Sequence, residues 1–330
     1  MTAQSEIEYP YDFKDVKGQQ KAKKALEIAA AGGHNMLMIG SPGSGKTLMA
    51  KCFPSILPPL TLPEALELTK IYSICGLLSQ EEPLMSKRPF RAVHHTASAN
   101  GIIGGGSNPK PGEITLAHRG VLFLDEMVEF PRAVLEVLRQ PLEDGEIVIS
   151  RATHSIKYPA KFILLGAMNP CPCGYLGDKE KHCTCSDFQI SRYLGKLSGP
   201  LLDRIDLQID VPRLTPEELL NTNTKEETSA TIRQRVIKAR EIQLERYKNE
   251  GIFTNSELTS KLIKKYCKVD EQSQALLKIA IVKYQLSGRK YDRVLKLART
   301  LADLDNSKDI GQIHVMQALQ YRMGVDIPIS

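Results

Sequence analysis

The eight residues Gly40–Thr47 read GSPGSGKT, and they constrain the fold of this 330-residue chain more than any other stretch. The string fits G-x-x-x-x-G-K-[ST], a loop whose backbone N–H groups point inward around a polyphosphate. Its neighbours suit a strand–loop–helix unit: the apolar run NMLMI (Asn35–Ile39) precedes it and the helical segment Thr47–Phe53 follows. The N-terminus of that helix adds a favourable dipole to the anion site. About eighty residues further on, VLFLDE (Val121–Glu126) is an apolar strand ending in the two carboxylates that a magnesium–nucleotide site needs. In this order and at this spacing the two strings predict a nucleoside-triphosphate site.

Two more apolar runs, FILLG (Phe162–Gly166) and IDLQIDV (Ile205–Val211), have the look of strands buried on both faces. Helical segments such as Pro131–Leu142 join them, so the expected fold is α/β: a parallel sheet with helices on its faces. The alternating arms IVIS and SIKY around Arg151–His154 predict a β-hairpin projecting from that sheet. Past Pro212 the character changes. The polar run Asn221–Ala230 reads as a linker or exposed loop, and Ile232–Tyr247, Glu257–Tyr266, Ser273–Leu286 and Tyr291–Asp303 show helical periodicity. The expected division is a nucleotide-binding core over 1–213 and a small all-helical domain over 214–330.

A hydrophobic content of 42% and a charged content of 25% are those of an ordinary soluble globular protein. No stretch approaches the length of a membrane span, and the polar N-terminus lacks the pattern of a secretory signal. A cytoplasmic protein is expected, with its seven cysteines as thiols or metal ligands. The net charge of +6 is uneven, because residues 214–330 carry 20 Lys/Arg against 15 Asp/Glu. That bias suits contact with nucleic acid as well as it suits a solvated helical surface.

The chemistry of the motifs assigns provisional roles. Gly40, Gly43 and Gly45 allow the tight wrap of backbone around phosphate, Lys46 brings charge to the β/γ-phosphates, and Thr47 offers a hydroxyl to Mg²⁺. Asp125 would hold the metal through water, and Glu126 would orient and deprotonate the attacking water. Asn169 ends the FILLGAMN strand and reads either as a hydrogen-bonding partner of that water or as a turn former before Pro170. Arg204 taken alone reads as a surface ion-pair residue. Cys171, Cys173, Cys183 and Cys185 form C-x-C, nine residues, C-x-C, a set that would close one loop around Zn²⁺, with His182 as a substitute ligand and free thiols as the alternative. His94 and His95 have no third ligand at a recognisable spacing and read as structural.

GSPGSGKT, VLFLDE, GAMNPCPCG and LSGPLLDRIDLQIDVP, in that order, resemble the magnesium-chelatase-like branch of the AAA+ ATPases. The match is nearest to the bacterial ComM/YifB type, strengthened by RPFRAVHHTAS (Arg88–Ser98), IIGGGSNPKPGEITLAHRGVLFLDE (Ile102–Glu126) and LSGRKYDRVLKLARTLADL (Leu286–Leu304), and it runs from Asp12 to the end. The resemblance implies that Gly40, Ser41, Pro42, Gly43, Ser44, Gly45, Lys46, Thr47 and Asp125 bind Mg-ATP, with Val16 and Gly18 lining the adenine pocket. It gives Asn169 the sensor-1 role, Arg204 that of an arginine finger reaching the neighbouring subunit of a hexameric ring, and Arg289 that of sensor 2, with Arg293 competing. It implies a homo-oligomeric DNA motor similar to the ComM branch-migration helicase, with Lys110, Arg151 and His154 as DNA contacts. The alternatives are a metal-chelatase ATPase subunit or a regulatory ATPase acting on a protein. ComM-type proteins usually begin with a Lon-protease-like domain, whereas this sequence starts at the AAA+ core, as a fragment or a naturally short relative would.

Overall fold

The computed structural model describes residues 9–79, 81–105, 110–150, 155–220 and 226–323. In chain order its strands are β1 (Met36–Ile39), β2 (Phe90–Val93), β3 (Gly104–Gly105), β4 (Lys110–Pro111), β5 (Val121–Leu124), β6 (Glu146–Ser150), β7 (Ser155–Pro159), β8 (Ile163–Met168) and β9 (Leu207–Asp210). Five of them form one sheet in the order β2-β5-β8-β1-β9, and every pairing in it is parallel. The expected α/β sheet is therefore present, and its four apolar runs became β1, β5, β8 and β9.

Both faces of β1, β5 and β8 are covered by apolar side chains, so their runs carry no alternation. β9, at the sheet edge, was expected to be buried on both faces but alternates, with Leu207 and Ile209 buried, Gln208 half-buried and Asp210 exposed. Met36 and Met38 of β1 face one core together with Val121, Phe123, Leu165, Ala167, Leu207 and Ile209. Leu37, Ile39, Leu122, Leu124, Leu164 and Met168 face the other. The second face is closed by Val134, Leu135 and Leu138, and by Ile190, Tyr193 and Leu194 of the helix Asp187–Leu194. On the first face the helix Gln20–Gly32 lies against the sheet and is itself covered by the C-terminal helices.

That covering layer comprises helices Ser229–Tyr247, Ser260–Tyr266, Glu271–Tyr284, Gly288–Leu304 and Gln312–Met323. Ile232, Val236 and Ala239 of the first of these join the same apolar cluster as Leu26, Ala29 and Ala30. At about 1.5–3 kcal/mol for each large side chain removed from water, the shared cluster is a substantial bond between the two layers. Polar groups seal its edge. Arg240 donates to the carbonyls of Ala31 (3.2 Å) and Ala30 (2.9 Å), and Gln243 to Ala31 (3.0 Å). These are carbonyls at the C-terminal end of Gln20–Gly32, where the last carbonyls of a helix lack N–H donors and a cation is favoured.

Other elements also depart from the sequence reading. β2 was not expected; it is a four-residue edge strand with only Val93 buried, so its run FRAV lacks the apolar signature of its neighbours. The helix Gln312–Met323 was also missed. Within the expected linker, 221–225 lie outside the described residues, but Glu226 and Ser229 are anchored parts of the fold. Glu226 accepts from Lys23 Nζ (2.6 Å) and from the Gly18 amide (2.8 Å), and Ser229 Oγ accepts from the Phe13 amide (2.8 Å). The predicted hairpin is present as β6 and β7, paired antiparallel from Glu146↔Pro159 to Ser150↔Ser155.

Candidate active site

In a parallel sheet the chain turns into ligand-binding loops at the C-terminal ends of the strands. Those of β1, β5 and β8 sit side by side, and each delivers predicted residues. From β1 the chain enters the phosphate loop, where Gly45 adopts φ +93°, a left-handed conformation that side chains resist, directly before the helix Lys46–Cys52. Lys46 is folded back into that loop. Its Nζ donates to the carbonyls of Gly40 (2.6 Å) and Ser41 (3.0 Å) and reaches Ser44 Oγ and Asn169 Oδ1 at 3.4 Å each. Burial pulls its pKa down to about 8, against the opposing fields of Asp125 and Asp210.

From β5 come the carboxylates. Thr47 Oγ1 donates to Asp125 Oδ2 at 2.8 Å, so the hydroxyl and the carboxylate that would share Mg²⁺ already point at one another. Glu126 lies in the left-handed region at φ +51°, a conformation that costs about 1–2 kcal/mol for a residue with a side chain. Its amide donates to Asp125 Oδ1 (3.0 Å), and the sharp turn carries its side chain off the strand line into solvent. Asn169, just past β8, faces Lys46 as given above. Val16 is buried, and the Gly18 amide is held by Glu226. Gln19, next in that segment, donates to the carbonyls of Pro212 (2.6 Å) and Ser44 (3.3 Å), which ties the expected adenine wall to the phosphate loop.

Arg204 and Arg289 are elsewhere. Arg204 precedes β9, at the opposite end of the strands: the Asp206 amide bonds to the Asn35 carbonyl at the start of β1, and Asp210 pairs with Ile39 at its end. Four residues at about 3.3 Å each put roughly 13 Å of strand between Arg204 and its own phosphate loop. Arg204 is buried, ion-paired to Glu143, and donates to the Pro200 carbonyl (2.6 Å). Its Nε has no partner among the described residues. Burial and the nearby Arg139, Arg289 and Arg293 together lower its pKa.

Ser287 caps the helix Gly288–Leu304 by accepting from the Lys290 amide, which sets Arg289 and Arg293 one turn apart on one face. Arg289 is exposed and lies 3.4 Å from Glu143, the acid that also holds Arg204. Arg293 instead donates to Asp206 Oδ1 (2.6 Å) and to the Arg204 carbonyl (3.1 Å). Burial alone would raise Asp206, but Arg293, His34 and Arg322 outweigh it and hold its carboxyl far below the ordinary range. The two sensor-2 candidates thus separate: Arg293 is a structural ion pair, and Arg289 is an exposed guanidinium that shares Glu143 with Arg204.

The four cysteines form one cluster. Cys171, Cys173, Cys183 and Cys185 place their sulfurs all within 4.8 Å of one another, and His182 is outside the group and exposed. The amides of Tyr175 and Thr184 pull the Cys173 thiol down to about 6, while burial pushes Cys171 up. Lys110 is exposed on β4, and Arg151 and His154 lie outside the described residues.

Three neighbours of the site carried no signal in the sequence. Asp210, the last residue of β9, adds negative potential at Lys46. Arg213 donates to the Pro42 carbonyl at 3.1 Å. His95, read as structural, follows β2 and brings Nδ1 to 3.4 Å from Glu126 Oε2. The pairing needs β2 beside β5, and β2, like the short β3 and β4, was a strand not foreseen. His94 bonds Thr96 Oγ1 (2.8 Å).

Residues 12–219 match the family described as magnesium chelatase, subunit ChlI, and residues 226–322 match its C-terminal counterpart. Competence protein ComM of Haemophilus influenzae is 50% identical over 314 residues, covering 94% of this chain and 60% of that protein. Uncharacterized protein YifB of Escherichia coli is 45% identical over 312 residues, with 94% and 60% covered. The magnesium-chelatase subunit ChlI homolog of Methanocaldococcus jannaschii is 27% identical over 274 residues, covering 72% of this chain and 68% of that one. The chain spans 60% of the length of the first two relatives.

Proposed function

Because the chain belongs to the magnesium chelatase ChlI family, a family of AAA+ ATPases, we propose that it hydrolyses Mg-ATP as one subunit of a ring that moves along DNA. The observation that carries the ring is the split of the site: the phosphate loop lies at one end of the strands and Arg204 with Arg289 at the other. One chain supplies nucleotide binding, metal ligands and base, and the neighbour supplies the cations. The cluster is then completed only between subunits, which makes hydrolysis depend on assembly.

The residues divide the chemistry as follows. Loop amides and Lys46 hold the β/γ-phosphates, while Thr47 and Asp125 would hold Mg²⁺, which supplies charge neutralisation between them. Glu126 takes the proton of the attacking water as that oxygen bonds to the γ-phosphorus and the bond to the ADP oxygen breaks. Asn169, beside Lys46, orients that water, and Arg204 of the next subunit meets the charge that builds on the γ-oxygens. The similarity to a competence protein and the basic C-terminal third support DNA as the track. The four thiols are the residues that would hold a structural Zn²⁺.

The test mixes two dead proteins. Lys46→Ala subunits should bind no nucleotide, Arg204→Ala subunits should bind it without turnover, and verified mixed rings should recover part of the hydrolysis. Mixed rings that stay inactive would refute the shared site. For the track, ATP-driven unwinding or branch migration is measured on forked and four-way DNA. An active ATPase that neither moves such DNA nor is stimulated by it would favour the second reading, the ATPase subunit of a metal-chelatase complex, which the matched family's description favours.

A further inference from the structure

We propose that a Zn²⁺ ion held by Cys171, Cys173, Cys183 and Cys185 braces the outer wall of the phosphate loop, so that metal occupancy sets nucleotide affinity. Two independent sets of contacts carry this.

The first is the fit of the cluster to the ion. Tetrahedral zinc with Zn–S near 2.3 Å needs sulfurs about 3.8 Å apart. Cys171 Sγ lies 3.4 Å from Cys173 Sγ and 3.6 Å from Cys183 Sγ, Cys173 and Cys183 are 3.6 Å apart, and Cys185 Sγ completes a set within 4.8 Å. Backbone amides already point at the sulfurs: Cys173 N–H donates to Cys185 Sγ (3.3 Å) and Cys185 N–H to Cys183 Sγ (3.4 Å). Donors of this kind favour thiolates and orient them. Four protein ligands leave no position open for substrate, so the ion's work is mechanical.

The second is where the closed loop sits. Cys171 follows Asn169 by two residues, and the chain between the two C-x-C pairs folds onto Ser41 and Pro42 of the phosphate loop. Gly174, at φ +85°, packs so closely that a β-carbon there would stand 2.6 Å from Pro42 Cδ. Asp178 sits close enough to Ser41 for that hydroxyl to hold its carboxyl low. Its own turn is fixed by the amides of Glu180 (2.9 Å) and Lys181 (3.0 Å), and its Oδ2 has no hydrogen-bond partner among the described residues. Arg213 closes the contact from the far side. It donates to the Pro42 carbonyl at 3.1 Å while its guanidinium stands 5.8 Å above the Tyr175 ring and 4.0 Å from Glu180.

The segment 174–182 is held by no helix or strand of its own. Its shape therefore depends on the link at its two ends, and the phosphate loop depends on it for one wall. Losing the ion lengthens the set of conformations open to that segment and so costs the loop its preorganisation. This rests on the reading of Gly40–Thr47 as an ATP site.

The experiment uses the full chain. Zinc is quantified by mass spectrometry in protein purified from zinc-supplemented cells, and cobalt substitution is followed by the visible bands of tetrahedral cobalt thiolate. A fluorescent ATP analogue is then titrated into zinc-loaded protein, into Cys183→Ser/Cys185→Ser protein, and into Asp178→Ala protein. The expected results are about one zinc per chain and at least about tenfold weaker nucleotide binding in the double serine variant. Asp178→Ala should keep its zinc and still weaken binding, a result that global unfolding of the serine variant would not reproduce. Wild-type protein that takes up neither zinc nor cobalt would overturn the metal site. Metal-free or Asp178→Ala protein binding nucleotide as tightly as zinc-loaded wild type would overturn the brace. Zinc-loaded, cooperatively melting wild type that binds no nucleotide would instead refute the ATP-site reading, and the brace with it.

Discussion

At the C-terminal ends of β1, β5 and β8, Lys46 is folded into loop carbonyls, Thr47 is matched to Asp125, and the Asp125–Glu126 turn is fixed by its own amide. At the N-terminal end of β9, Arg204 and Arg289 share the single carboxylate of Glu143, and burial together with the positive charges around it lowers the Arg204 pKa. The first region is organised by contacts within the chain. In the second, Arg204 and Arg289 have one acid between them, while Arg293 and Lys290 nearby take Asp206 and Asp203. Preorganised binding and an arginine pair that shares one carboxylate, about a strand's length apart, are what the proposed division of catalysis between neighbouring subunits calls for.

That contrast makes graded predictions. Replacing Arg204 with alanine should cost about 10³ in kcat with little change in nucleotide affinity, because an arginine aimed at transferring phosphate acts on the transition state. Steady-state turnover beside equilibrium titration measures both, and an affinity loss as large as the turnover loss would place Arg204 at its own nucleotide. Glu126→Gln should lower kcat by about 10² and leave ATP trapped on the protein. Retained turnover in that variant would remove Glu126 as the base and leave the turn at φ +51° without a catalytic reason.

A third prediction uses pH. The free Lys46 pKa is lowered to about 8 by burial, and a bound polyphosphate would raise it again. Binding is therefore coupled to proton uptake above that value. Affinity should be full below about pH 8 and fall by up to about tenfold per pH unit above it, and Lys46→Arg should flatten the profile. A flat wild-type profile between pH 7 and 10 would break the assignment of the buried ammonium as the phosphate clamp. The smallest effect belongs to Arg289→Ala, about threefold in kcat, because the side chain is exposed and screened by salt. A loss equal to that of Arg204→Ala would show that the neighbour's nucleotide buries both arginines together.

Much of this was legible in the sequence for a simple reason. A parallel strand covered on two faces must be apolar throughout, and β1, β5 and β8 announce themselves that way; the edge strand β9 shows instead as alternation, and the edge strand β2, with Ala92 exposed and Arg91 half-buried, shows neither. The phosphate loop and the DE pair are local in sequence, so their spacing alone locates them. The contacts that finish the site are long-range: Gln19 to Pro212, Arg213 to Pro42, His95 to Glu126 and Gly174 to Pro42 join segments that only folding brings together. Polarity misled in the stretch before the first C-terminal helix. Glu226 and Ser229 look like linker residues by composition, yet their polar groups are the partners that buried donors at Gly18, Lys23 and Phe13 require.

The apolar seam between the helices Gln20–Gly32 and Ser229–Tyr247, sealed by Arg240 and Gln243, has a mechanical consequence. A joint without slack passes torque undiminished. Whatever turns the phosphate loop and its sheet must swing the C-terminal helices through the same arc, so the compliant hinges of an assembly would fall at the boundaries between copies. Fluorophores on these two helices should keep one separation with and without nucleotide, and a changing separation would move the hinge back inside the chain.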